Sequence, residues 1–247
     1  MMIYSILSVK NNSEKLAAHL YQMKGISGLD LVAVSYKEVA AVVCNVQSDA
    51  LIADQSNAVK YAEIIETLAT DYTLLPVRFG STMESSDQLL QMLERNYTEI
   101  QQNLKKLKDK YEFGLKIFCD SEKIKEELRA ISEKNTQLKP ITGSEPSIYK
   151  AYMDKKLKEH RLEEMLLKHV ETIVQDITTQ VLHLNPIHKF KKTTTASNII
   201  DAVFLIKKSQ KDEMIHAVMQ LQNCYPSLHF MLTGPWPPYN FVEITIK

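Results

Sequence analysis

The chain has 247 residues, 45% hydrophobic and 24% charged, which suits one large domain or two ordinary ones with normal cores. Thirty Lys and Arg balance thirty Asp and Glu, and a zero net charge argues against nucleic acid as the main partner, because phosphate binding needs excess positive charge. The opening MMIYSILSVK has no basic segment before a long apolar run, and apolar stretches elsewhere are strand-sized, so neither a secretory signal nor a membrane span is expected.

In chain order, Met2 to Val9 is the first strand candidate, and helical spacing follows around Ser13 to Tyr21. GISG breaks it. LDLVAVSY and EVAAVVCNV are two strand-like runs in close succession. Asn57 to Asp71 places Ala58, Tyr61, Ile64, Ile65 and Leu68 at helical intervals, and TLLPVRF is another short strand. The resulting β-α-β-β-α-β order is ferredoxin-like. Ser85 with Gln88 forms a capping-box pattern. Leu90, Leu93, Tyr97, Ile100, Leu104, Leu107 and Tyr111 then alternate steps of three and four. Such a seam either covers the protein's own core or meets another copy, so self-association through the 90–111 helix is an open expectation.

The order then repeats. YEFGLKIFCD is a strand, Ser121 to Lys134 a helix and QLKPITGSEPS a polar loop. Tyr149 to Val181 is one long amphipathic helix. His188 to Lys192, IIDAVFLIKK, LHFMLTG and NFVEITI supply strands, with a helix over Ser209 to Asn223 capped by Ser209. The fold class expected is α+β, in two domains. Residues 1–110 form an N-terminal domain ending in a long amphipathic helix. Residues 111–247 form a modified ferredoxin-like domain with a helical insertion and a C-terminal extension.

Most chemistry is missing. Gly-rich phosphate cradles need clustered glycines, and six glycines leave Gly25 and Gly28 as the only near pair, with no Lys-Ser/Thr after them. None of the seven histidines forms H-E-x-x-H, so no metal, cofactor or catalytic residue is expected. Cys44, Cys119 and Cys224 lie far apart and read as reduced thiols of a cytoplasmic protein. Lys189, Lys191 and Lys192 read as the guarding charges of a solvated edge strand. EFGLKIF mimics the aromatic signature of RNA-recognition strands, but on the first strand of its domain rather than the third. RNA binding or small-ligand binding by a ferredoxin-like module is therefore the alternative reading.

Two segments remain. In LLPVRFGS, Pro76 cannot donate to a sheet ladder and so implies an edge or a bulge. Alternation sets Val77 and Phe79 opposite Arg78, which forms a salt bridge or an exposed docking charge. Gly80 marks a positive φ or a close approach. In LTGPWPPYNF, Gly234, Pro235, Trp236, Pro237, Pro238, Tyr239 and Phe241 combine three of the eight prolines with the chain's only tryptophan. The prolines fix φ and remove backbone donors, making an extended segment unfit for a sheet centre. Its aromatics either tie down the terminus or supply interface area.

LLPVRFG, then an amphipathic helix, then E-x-G-x-K at Glu112, Gly114 and Lys116, then TGPWPPYNF, resembles the gas vesicle protein GvpF/GvpL family across essentially the whole chain. The glycine-rich stretch usual in that family thins here to TGSEPS. The resemblance implies a non-enzymatic accessory protein, cytoplasmic and gas vesicle-associated, that contacts the small hydrophobic shell protein and other accessory proteins. It implies neither a lipid membrane nor nucleic acid as partner. Pro76 to Gly80 and Gly234 to Phe241 are then candidates for a partner surface or for a joint between domains.

Overall fold

A computed structural model describes residues 1–10, 13–46, 55–136, 148–191 and 197–244. The fold is mixed α/β with two four-stranded antiparallel sheets. The chain divides into two compact units, Met1–Glu112 with Gly234–Lys247, and Phe113–Thr233. This differs from the expected 1–110 and 111–247 division chiefly at the C-terminus. There, Asn240 and Glu243 hydrogen bond to Glu112 and Asn103 of the first unit.

The first unit contains β1 (Met2–Ser8), α1 (Ser13–Tyr21), β2 (Leu31–Tyr36), β3 (Val39–Cys44), α2 (Gln55–Asp71), β4 (Leu74–Pro76), α3 (Ser86–Arg95) and α4 (Tyr97–Leu107). Its sheet runs β2-β3-β1-β4 with antiparallel neighbours throughout. Helices cover both faces, so the inner strands β1 and β3 are buried almost end to end. One face packs Met2, Tyr4, Leu7, Val42 and Cys44 against Leu16 and Leu20 of α1 and Tyr61, Ile64 and Leu68 of α2. The shift from even to odd positions along β1 follows from a register shift between Ile3 and Ser5. An extra residue in one strand flips every later side chain to the other face.

On the other face α3 buries Leu89, Met92 and Leu93, and α4 buries Ile100, Leu104 and Leu107. The Ser85 side chain accepts from the Gln88 backbone N–H at 3.2 Å, giving the cap its sequence announces. The expected single helix through Tyr111 is corrected. The helical stretch is divided at Asn96, and it ends at Leu107; Asp109 adopts φ 55 and Tyr111 lies in a strand. Of the proposed seam, Leu93, Ile100, Leu104 and Leu107 are spent on the unit's own core, and only Leu90 is exposed.

The second unit is built on β5 (Lys110–Cys119), α5 (Ser121–Thr136), α6 (Ile148–Leu182), β6 (Ile187–Phe190), β7 (Asn198–Lys207), α7 (Lys211–Cys224) and β8 (Leu228–Trp236). Its sheet order, β6-β7-β5-β8, repeats that of the first. Phe113, Leu115, Ile117 and Cys119 alternate into the core with Ile173, Ile177 and Val181 of α6 and Met214, Val218 and Leu221 of α7. The Tyr225 hydroxyl donates to Asp176 at 2.6 Å, tying the end of α7 to α6. α7 begins at Lys211 after a 3₁₀ turn, Lys208–Gln210, so Ser209 is not its cap. Tyr239–Phe241 is a 3₁₀ turn rather than the start of a last strand. The loop QLKPITGSEPS, Lys192 and residues 245–247 lie outside the described residues.

Candidate functional site

The first candidate segment lies on an edge strand, as its proline demands. β4 pairs only with β1, with Pro76 opposite Ser5. Beyond it the Val77 N–H donates to the Tyr4 carbonyl at 3.0 Å, and the Ser81 N–H closes a turn onto the Arg78 carbonyl at 3.1 Å. Gly80 sits third in that turn at φ +84, where a type II geometry requires a residue tolerant of positive φ. A Cβ there meets nothing within 4 Å, so the glycine is explained by its backbone angle and not by a close approach. Phe79 packs on the core, and Arg78 points to solvent with no carboxylate partner among the described residues. Of the two expectations for Arg78, a salt bridge or an exposed charge, the exposed charge is the one seen among the described residues.

The second segment leaves the outer strand of its sheet and enters the first unit. β8 ends at Trp236, after a cis Gly234–Pro235 peptide and with Gly234 at φ +118. Pro237 and Pro238 are buried, and Phe241 is 0% exposed. Trp236 and Tyr239 remain 42% and 39% exposed. The rigid residues therefore seat the segment while its two largest amphipathic side chains stay part-exposed.

Tyr61 of α2 holds the first segment and lies near Tyr239 of the second. Its hydroxyl donates to the Val77 carbonyl at 2.7 Å and faces the Ile3 and Tyr4 carbonyls at 3.0 and 3.2 Å. Its ring stacks on Tyr4 at 4.8 Å and meets the edge of Phe79 at 5.1 Å. Burial, and next the neighbouring Tyr239, raise the Tyr61 phenol well above its ordinary pKa. Tyr239 is pushed up to about 12, first by burial of its hydroxyl end and then by the Glu66 and Glu112 carboxylates.

Two side-chain clamps fix the rest of the C-terminal segment. Glu112, 4% exposed, accepts from the Asn240 backbone N–H at 2.8 Å and from its side-chain amide. Asn103 of α4 donates to the Glu243 carbonyl at 2.9 Å and accepts from its N–H at 3.0 Å, as a strand neighbour would. Lys106 adds a 3.0 Å ion pair to the Glu243 carboxylate. Sequence reasoning picked out Glu112 only as a motif letter and missed Tyr61, Asn103, Asn240 and Glu243 as the residues that hold the segment.

Gly114 and Lys116 of the same motif have separate roles. A Cβ on Gly114 would lie 2.7 Å from Thr233 Oγ1, so this glycine admits a close-lying side chain. Lys116 pairs with Asp201 at 3.4 Å. Phe113, in the segment that mimics an RNA-binding strand, is fully buried and offers no ring face for a base. Among the described residues no three His, Cys, Asp or Glu gather to hold a metal, and no helix is long and apolar enough to cross a membrane.

A family model described as gas vesicle synthesis protein GvpL/GvpF matches residues 1–243. The chain belongs to this family. Among GvpL/GvpF relatives, gas vesicle protein F of Streptomyces sp. (strain CB03234) is 21% identical over 205 residues, 83% of this chain and 84% of that one. Gas vesicle protein F1 of Halobacterium salinarum is 22% identical over 228 residues, 91% of this chain and 87% of that one. The crystal structure of GvpF from Anabaena sp. PCC7120 is similar with a TM-score of 0.76 at 19% identity, covering 99% of this chain and 98% of that one. GvpF from Microcystis aeruginosa gives a TM-score of 0.70 at 16% identity, covering 98% of each. The GvpL/GvpF fold thus extends over both units, and the protein has a role in gas vesicles.

Proposed function

We propose that this protein is a non-catalytic assembly factor that holds the hydrophobic shell subunit before its incorporation, and contacts other accessory proteins while it does so. The observation that carries this reading is the family match over residues 1–243. A shell subunit that must become apolar on its gas-facing side exposes, before assembly, a patch prone to aggregate. The surface proposed for it is Trp236 with Tyr239, backed by Pro237, Pro238 and Phe241 and reached from the other side through Tyr61 by Phe79, with Arg78 and Gly80 at the adjoining turn. What supports it is the pairing of two open aromatics with a rigid, buried backing, since binding energy concentrates in preorganised aromatic anchors. The protein acts in the cytoplasm, on nascent vesicles. The shared strand order of the two sheets supports a ferredoxin-like reading of each unit.

The test is suppression of shell-protein aggregation in light scattering, with co-precipitation of the two proteins. The native chain should suppress scattering at near-equal stoichiometry, and Trp236→Ala with Tyr239→Ala should lose both effects. Normal gas vesicles in cells lacking the gene would sink the assembly reading altogether.

A further inference from the structure

Away from the aromatic segments, the first unit carries a cleft of about 640 Å³ where the end of β1, the β2–β3 hairpin and the start of β4 meet α4. Ligand sites commonly measure roughly 300–1,000 Å³. Buried Val39 and Leu104 form its floor, and Thr73 and Thr98 line it with hydroxyl side chains. Among the described residues three exposed lysines, Lys10, Lys105 and Lys108, line it against one acidic residue, Glu38. One oxygen of that carboxylate accepts from the Gln101 side-chain amide at 3.1 Å. None of the three lysines has an ion-pair partner among the described residues.

In a chain whose net charge is zero, three unpaired cations around one concavity need a reason. The C-terminal end of α4 accounts for Lys105 and Lys108, because cations there complement the helix dipole. It does not account for Lys10, which the end of β1 delivers from another part of the fold. Like charges gathered around one concavity raise the local potential and attract anions.

We propose that this cleft binds a small ligand carrying two or more linked phosphoryl groups, held by Lys10, Lys105 and Lys108. The phosphoryl chain lies among the ammonium groups, with Thr73 and Thr98 donating to its outer oxygens. Among the described residues no glycine lines the cleft, so recognition is by side-chain charge rather than by backbone amides. The phosphoryl chain is the shared chemistry, whether free as polyphosphate or carried on a nucleotide.

Titration calorimetry of the full chain with tripolyphosphate, ATP and citrate tests this. Saturable one-to-one binding of tripolyphosphate is expected, weakened at least tenfold by combined Lys10→Gln, Lys105→Gln and Lys108→Gln. Replacing Lys15, Lys123 and Lys207 by Gln should leave it unchanged. Tighter binding of ATP shows that the nucleoside adds contacts, and equal binding assigns the site to the phosphoryl chain alone; both uphold the proposal. Absent saturation, equal loss in the two triple variants, or citrate binding as tightly as tripolyphosphate overturns it. Independently of any variant, tripolyphosphate should slow acetylation of Lys10, Lys105 and Lys108 in the native protein, read by mass spectrometry, and uniform acetylation of all lysines counts against the site.

Discussion

The Tyr61 hydroxyl donates its proton to the Val77 carbonyl at 2.7 Å, and by that bond α2 fixes the strand end that leads into Arg78 and Phe79. Tyr61→Phe keeps the ring stack on Tyr4 and removes only the donor. The buried carbonyls it served then lose a partner, at a cost of about 1–3 kcal/mol. A lower urea midpoint with an unchanged m-value is the expected result; no shift would mean that water takes over the hydroxyl's role.

Trp236 and Phe241 separate docking from folding. Phe241 is 0% exposed, so Phe241→Ala should cost about 3–5 kcal/mol. Trp236 is 42% exposed, and cutting it to alanine should cost less than Phe241→Ala, about 2 kcal/mol. If Trp236 anchors the shell subunit, the same change weakens binding by about 2 kcal/mol or more, a thirtyfold loss in the co-precipitation midpoint. A melting temperature that falls in step with the binding would assign Trp236 to the fold instead.

Alkaline pH should unfold the first unit early. Tyr4, Tyr61 and Tyr239 are all raised above the ordinary 10.0, with burial the leading cause, and Tyr239 reaches about 12. A raised folded pKa means that the unfolded chain loses its proton first. The contribution is therefore complete below pH 10 and drains away as pH rises towards 12. The urea midpoint should hold level from pH 7 to 9 and then fall, and in Tyr61→Phe the fall should be shallower because one titrating phenol is gone.

Two glycines should respond to alanine for different reasons. At Gly80 there is open space around the missing Cβ but φ is +84, so Gly80→Ala costs roughly 1–2 kcal/mol that no second change recovers. At Gly114 the obstacle is Thr233 Oγ1, 2.7 Å from the Cβ position. Gly114→Ala should destabilise alone and be rescued by Thr233→Ala. A double-mutant cycle in thermal melts checks this, and additivity of the two changes would contradict it.

Local signals were readable and long-range ones were not. The Ser85 cap declares itself because both partners lie within one turn. Pro76 announces an edge because a missing donor is a property of the residue itself. The seam from Leu90 to Tyr111 overran its helix for a related reason. Tyr111 keeps the step of four from Leu107, and periodicity cannot register that the backbone turns at Asp109, where φ is 55. For Arg78 the residue type allowed either a salt bridge or an exposed charge, and only the fold shows it facing solvent. The grip of Glu112 on Asn240 spans 128 positions. A lone buried acid and a lone asparagine carry no spacing that could connect them. Tyr61 fitted the helical period so well that its hydroxyl's task was hidden behind its apolar ring.

Because Phe113–Thr233 is threaded into a unit made of Met1–Glu112 and Gly234–Lys247, the order of synthesis matters. A ribosome delivers Glu112 and Asn103 long before the asparagine and glutamate that will occupy them. The interposed unit has β6, β7 and most of β5 and β8, and can settle while the first still waits, with the bed for Phe241 unfilled. A transcript interrupted just past Thr233 would thus release a finished insert on an unfinished host, a species that quality-control proteases should recognise by its N-terminal half.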